Sequence, residues 1–378
     1  MLARMPRRQK VLSVVGTRPN LMKTAPVVAA LARRPDEFEQ VLVHTGQHYD
    51  YEMFRIFIEE LGLGEPDFVL DVGSGSHAEQ TARVLERLEP VLVETAPDVV
   101  LVPGDVNSTM AAAIAAAKLG IPVGHIEAGL RSFDRTMPEE LNRVVADALA
   151  DLLFIHSPEA RDNLLAEGRP EGGIHYVGNT MIDTLVAMRE RIESLDAPGR
   201  YGLSRGGYLA VTLHRPALVD GPLLDTALRE LEAISSELEV VFPVHPRTRA
   251  AIEANGFEVG SSGFRLLEPL GYLEFLSLVD GAAAVLTDSG GIQEETTFLG
   301  IPCFTLRSNT ERPITVELGT NTLLGLEPGR IADVPRLIDG AKRRPSQMPP
   351  LWDGKAADRI ADVLARGEHD LAALSHAL

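Results

Sequence analysis

Short apolar runs alternate with amphipathic stretches along most of this chain, and that rhythm limits its fold more than any other feature. The runs VLSVVG (11–16), VLVHTG (41–46), VVLVPG (99–104), IPVGHI (121–126) and LLFIHS (152–157) each end in a turn or a polar residue. The pattern begins again with YLAVTLHRP (208–216), EVVFPVHP (239–246), FRLL (264–267) and AAAVLTD (282–288). Runs of this length read as strands buried on both faces, and helices between them make the sheet mostly parallel. A chain of 378 residues is longer than one hydrophobic core usually serves. The expectation is therefore α/β, with two Rossmann-like, doubly wound domains facing a central cleft. Residues 1–185 form the first domain and 186–354 the second, and a terminal helix in 355–378 packs back on the first. The Gly- and Arg-rich segment 191–207 reads as the linker.

Charge and cysteine content narrow the function. A formal charge of −18 disfavours nucleic acid and anionic membrane surfaces as partners, so an anionic ligand would need a locally positive pocket. The single cysteine, Cys303, excludes an internal disulfide and reads as a small buried hydrophobe. No stretch offers the roughly 20 apolar residues of a membrane helix. The apolar run after MLARMPRRQK is too short for a secretory leader. A cytoplasmic protein is expected.

Candidate chemistry sits where strands give way to helices, the ligand-facing edge of open α/β sheets. The stretch HIEAGLRSFDRTMPEELNR (125–143) places Glu127, Glu139 and Glu140 among His125, Arg131, Arg135 and Arg143. Such carboxylates act as acids and bases when their surroundings set them apart. Equally, Thr136 and Glu139 fit a capping box, in which the glutamate only satisfies a backbone N–H. Asp105 ends the third strand and serves either chemistry or loop anchoring. Arg18 and Lys23 follow the first strand and suit a diphosphate, or else are solvated surface. The run TDSGGIQEE (287–295) puts Ser289, Gly290 and Gly291 at a helix start, where backbone N–H groups and the helix dipole favour an anion. Glu295, about a turn further in, suits ribose hydroxyls. Arg307 and Arg312 form a basic turn beyond. A G-x-G-x-x-G fingerprint is missing after the first strand, which argues against a dinucleotide. The ten histidines are scattered, so no metal site is expected.

Taken together, GTRPNLMKTAP (16–26), TGQH (45–48), PGDVNST (103–109), HIEAGLRS (125–132), PEELNR (138–143), TLHR (212–215), PVHPRTR (243–249), TDSGGIQEE (287–295) and TERP (310–313) resemble the UDP-N-acetylglucosamine 2-epimerases of the non-hydrolysing kind. The resemblance implies a glycosyltransferase-B-like fold with a UDP-sugar in the interdomain cleft. It implies inversion at C2 through elimination of UDP to a glucal and re-addition, with no cofactor. By position, Asp105, Glu127, Glu139 and His214 match the acid–base set. Arg18, Lys23 and Arg143 match residues around the substrate phosphates, and His245, Ser289, Gly290, Gly291 and Glu295 match the nucleotide site, with Arg312 beside it. The expected assembly is a homodimer.

Three departures stand out. Asn20 follows Pro19 where glutamate is common, Ala217 and Leu218 follow the His-Arg-Pro run, and Tyr49-Asp50 follow Gln47-His48. In family members the last two regions help hold a second, activating UDP-sugar. Little activation is therefore expected here. The resemblance leaves open a UDP-diacetamido-uronic acid as substrate, or a hydrolysing outcome that releases the free sugar.

Overall fold

The structure, a computed structural model, describes residues 7–46, 58, 60–343 and 347–367. The Tyr49-Asp50 pair lies outside the described residues. Two units separate: Met1–Thr184 with Pro350–Leu378, and Leu185–Pro349.

The first unit holds a parallel sheet of seven strands, β1 (Gln9–Val15), β2 (Phe38–His44), β3 (Phe68–Val69), β4 (Val99–Pro103), β5 (Val123–Ile126), β6 (Leu152–Ile155) and β7 (Ile174–Tyr176). Their order is β3-β2-β1-β4-β5-β6-β7. Side chains alternate across each strand, so both faces are apolar. Leu12, Val14, Val100 and Val102 pack on one face, and Val11, Val99 and Leu101 on the other. The first face is covered by helices that include Asn107–Lys118. Its alanines 111–113, 115 and 116 are buried, which lets it lie closely between the helices His77–Thr95 and Pro138–Leu149. The second face takes the helix Arg18–Ala32 and the returning helix Ala356–Ala365. Asp183 fastens that return. Its two oxygens accept the N–H groups of Ala356 and Ala357 at 3.1 and 2.7 Å, capping the helix from outside its own sequence.

The second unit repeats the design with β8 (Tyr208–Thr212), β9 (Glu239–Pro243), β10 (Phe264–Leu267), β11 (Ala284–Thr287), β12 (Cys303–Thr305) and β13 (Asn321–Leu323), ordered β10-β9-β8-β11-β12-β13 and parallel throughout. Each sheet reverses its winding once, between β1 and β4 in one and between β8 and β11 in the other. Ligands bind such sheets outside the carboxyl ends of the strands at that reversal.

The supposed linker 191–207 is not one. It carries parts of the helices Arg189–Leu195 and Ala197–Arg200, and buries Ile192, Ala197 and Leu203 in the second unit's core. Gly199 lies within the second of those helices, and Gly202 and Gly206 mark turns after it. Cys303 is fully buried on β12. No helix among the described residues is long and apolar enough to cross a membrane.

Candidate active site

At the first unit's reversal, β1 runs into Gly16, Thr17 and the helix Arg18–Ala32, while β4 runs into Gly104 and Asp105. Asn20 joins the two ends. Its side-chain oxygen accepts from the N–H groups of Gly16 and Thr17 at 3.4 and 3.2 Å, and its amide donates to the Pro103 carbonyl at 2.8 Å. Lys23 points at this junction and is buried there. Gly104 turns at φ +64, a region that favours glycine, and a Cβ there would stand 2.9 Å from the Lys23 ammonium. Arg18 is half-buried at the start of its helix.

Lys23 pairs with Glu127, which follows β5 and is itself buried. Glu127 has φ +71, the left-handed region that a glutamate seldom occupies. Strain of about 1–3 kcal/mol at such a residue persists only where surrounding structure fixes it. Here the N–H groups of Glu127 and Ala128 both donate to the Phe154 carbonyl.

The neighbouring charges are sorted by burial. His125 is fully buried, with Nδ1 2.6 Å from Asp147 and Nε2 2.7 Å from the Gly104 carbonyl. Arg131 bridges Asp147 to Glu167. Burial pushes the Asp147 carboxyl up, but the charges and hydrogen bonds of His125 and Arg131 outweigh it and hold it below the usual carboxylate range. Arg143 is buried between Asp105 and Glu140. Glu140 also accepts from the N–H of Ser132, the Ser132 hydroxyl and the N–H of Phe133, each at 2.9 Å. It is thereby tied into the loop.

Glu139 is different. The helix begins at Pro138 with Met137 as its cap, and the Thr136 hydroxyl donates to Asp134, so the capping box does not form. The Glu139 side chain makes no hydrogen bond or ion pair among the described residues. Instead it lines a cavity of about 190 Å³ with Thr17, His77, Gln80, Val106, Asn107, Pro138 and Asn142. Asn107 lies at the centre of the lining's polar contacts, within hydrogen-bond distance of His77, Gln80 and Asn142. Sequence reasoning missed these four. Asn142 stands one turn along the helix from Glu139, and that spacing could have signalled it.

In the second unit, His214 follows β8 and Asp288 follows β11. Asp288 accepts from the N–H groups of His214 and Arg215 at 2.8 Å each, and its other oxygen lies 3.1 Å from His214 Nδ1. Burial raises the Asp288 carboxyl, yet its bonds to His214 and those N–H groups bring it below the ordinary range. The sequence reading passed over Asp288, although it ends its strand as Asp105 does. The His245 ring stands 5.8 Å from that of His214. Burial and the neighbouring His214 and Arg247 lower its pKa, and its Nδ1 accepts the N–H of Arg247 at 3.2 Å.

Ser289 caps the helix Gly290–Leu299, whose first turn presents backbone N–H groups. Gly290 has a packing reason: a Cβ there would meet Arg312 at 2.5 Å. Gly291 follows it in the same turn. Arg312 is buried in a charge cluster with Glu294 and Glu311, which also takes Arg307. Glu295 is buried too and accepts the Tyr272 hydroxyl at 2.7 Å. The structure thus gathers Arg18, Lys23, Asp105, Glu127, Glu139 and Arg143 in one unit. It gathers His214, His245, Ser289, Gly290, Gly291, Glu295 and Arg312 in the other.

Comparison with known proteins identifies the lineage. The family model for UDP-N-acetylglucosamine 2-epimerase matches residues 29–365. The UDP-N-acetylglucosamine 2-epimerase of Methanocaldococcus jannaschii is 40% identical over 95% of this chain and all of its own. The UDP-2,3-diacetamido-2,3-dideoxy-D-glucuronate 2-epimerase of Pseudomonas aeruginosa is also 40% identical, over 94% of this chain and 99% of its own. The crystal structure of the M. jannaschii enzyme in complex with UDP-GlcNAc and UDP superposes with a TM-score of 0.85 at 38% identity, covering 95% of this chain and all of that one. Two parallel sheets with alternating helices give the glycosyltransferase-B-like fold, as the sequence resemblance implies. The chain belongs to the UDP-N-acetylglucosamine 2-epimerase family.

Proposed function

We propose that the protein interconverts UDP-N-acetylglucosamine and UDP-N-acetylmannosamine. A base takes the C2 proton, the bond from C1 to the UDP oxygen breaks, and a C1–C2 double bond forms. UDP then adds back at C1 while a proton returns to the opposite face of C2. No electrons are gained or lost overall, so the reaction calls for no redox cofactor, and acid–base groups with phosphate donors serve without a metal. The C2 proton is weakly acidic, so stabilising the leaving UDP carries much of the work. Asp105, Glu127, Glu139 and His214 exchange or steady protons. Arg18, Lys23 and Arg143 meet the phosphates and sugar. Ser289, Gly290 and Gly291 offer donors to the diphosphate, and His245, Glu295 and Arg312 complete the nucleotide site.

The observation that carries this reading is Glu139. It is a carboxylate with no side-chain partner among the described residues, facing a cavity whose lining holds no other carboxylate and no lysine or arginine. That lining also bears on the substrate, because the two relatives at 40% identity bear the names of different sugars. A uronic acid would bring its carboxylate toward Glu139, with no lysine or arginine in the lining to offset it. Hydroxyl and acetamido groups suit the amides of Gln80, Asn107 and Asn142. A neutral N-acetylhexosamine is therefore favoured over the uronate. Assembly as a cytoplasmic homodimer belongs to the same reading, and sedimentation would test the dimer.

The deciding experiment incubates the protein with UDP-GlcNAc in D₂O and follows the products by NMR. UDP-ManNAc carrying deuterium at C2 is the expected product. Free ManNAc with UDP would make the enzyme a hydrolysing epimerase, and an unchanged substrate would overturn the assignment.

A further inference from the structure

The turn Pro103-Gly104-Asp105 has an unusual backbone environment. Its three successive carbonyls are each taken by a side chain from a different element. Pro103 accepts from the Asn20 amide at 2.8 Å and the Thr109 hydroxyl at 2.6 Å. Gly104 accepts from His125 Nε2 at 2.7 Å, and Asp105 from the Asn142 amide at 2.9 Å. The main donors come from the helix Arg18–Ala32, from β5 and from the helix Pro138–Leu149.

Each donor is fixed in turn by its other contacts. The Asn20 oxygen accepts from Gly16, Thr17 and the Thr17 hydroxyl, so the amide cannot flip without leaving those donors unpaired. The His125 ring has Asp147 on its far nitrogen, and Asp147 is held by Arg131 and by the N–H of Gly129. Both ring nitrogens therefore face acceptors, which fixes the orientation of the ring. The Asn142 amide also reaches the Asn107 oxygen at 3.3 Å. What remains free to meet a ligand is the Asp105 side chain, about a quarter exposed and paired with Arg143.

We infer that Asn20, His125 and Asn142 are positioning residues that aim the Asp105 carboxylate by holding its backbone. This rests on the proposed acid–base role of Asp105. Loop anchoring alone would need one such bond. Three on consecutive carbonyls leave the turn little freedom to rotate, and a group aimed before substrate arrives need not be ordered at the moment of reaction.

Asn20 is the clean test, because it is buried and, unlike Asn142, is not part of the cavity lining. Asn20→Asp keeps the size and the accepting oxygen but replaces the donor to Pro103 with a second acceptor. The expected result is a kcat for UDP-GlcNAc lower by about 10²-fold, with KM within about 2-fold of wild type. Should melting show that the variant does not fold, Asn20→Ser, which brings in no charge, takes its place. A double-mutant cycle with Asp105→Asn separates aiming from general support. Aiming requires that the Asn20 change cost nothing further once the Asp105 carboxylate is gone, read as deuterium wash-in at C2. An equal loss in both backgrounds, or wild-type kcat in the Asn20 variant, would overturn the inference while leaving Asp105 in its role. Full turnover in Asp105→Asn alone would instead remove the acid–base reading, and the clamp with it.

Discussion

Asp105 and Asp288 occupy the same place in two sheets of the same winding order. Each follows the strand beside the reversal, β4 in one unit and β11 in the other. Their circumstances are opposite. The backbone around Asp105 is held by other residues and its carboxylate is left partly exposed beside Arg143. Asp288 is buried and commits its own carboxylate to the backbone of the facing loop and to the His214 ring. One aspartate is supported and the other gives support. Position at the reversal thus marks a residue as important without saying whether it acts on a ligand or on its neighbours.

The comparison can be broken most sharply by neutralising the supported aspartate. Asp105→Asn should lower turnover by about 10²–10⁴-fold while UDP binding, followed by calorimetry, persists. Near-normal turnover would place both aspartates in the supporting role. Glu139→Gln should cost about 10²-fold in kcat with an unchanged melting temperature. Glutamine could replace a capping glutamate, so a large effect belongs to chemistry alone.

The next two experiments address the second unit. Ser289→Asp sets a carboxylate against the first turn of the helix Gly290–Leu299, and UDP affinity should fall below detection. Undiminished affinity would move the nucleotide elsewhere. Asp288→Ala leaves two backbone N–H groups without their acceptor, and should cost about 1–3 kcal/mol in denaturant unfolding. The matching Asp105→Ala strands no backbone N–H group, and the buried Arg143 keeps Glu140 as a partner, so its loss should be the smaller of the two. Equal losses from the two alanine variants would erase the distinction.

The last experiment concerns pH. Burial pushes the Asp183 carboxyl up to about 6, against the hydrogen bonds from Ala357 and Ala356 that favour its charged form. A raised folded-state pKa means that the folded protein holds this proton more tightly than the unfolded chain. Its contribution is full below about pH 4 and is lost as pH rises through about 6. Asp183→Asn should remove that dependence, a difference of roughly 1–3 kcal/mol across the window, read from melts at fixed pH values. Asp288 acts in the opposite sense. Its lowered pKa contributes stability above the unfolded carboxylate range, lost as pH falls.

The central strands were legible because they are buried on both faces and read as unbroken apolar runs. The edge strands β3 and β13, of two and three residues, escaped because so short an edge carries no periodic signal. Within the site, strand-end Asp105 and Glu127 could be picked out by position. The division of labour between Glu139 and Glu140 could not. Adjacent helical residues point about 100° apart, and nothing in PEELNR says which faces the cavity and which the loop. Asp288 and the amides around Asn107 were missed for a related reason. Their partners come from distant segments that only the fold brings near.

The Asp183 cap and the returning helix have a consequence for synthesis. A ribosome makes the chain from its amino end, and domains ordinarily fold in that order. Here Trp352, Ile360 and Leu364, all buried in the first unit, emerge after every residue of the second. The second unit is continuous in sequence and can finish folding on the ribosome. Until residues 350–367 arrive, the first lacks the returning helix over the apolar face that carries Val27 and Leu31. The domain begun first is completed last, and while it waits that face is open to chaperones or to misassociation.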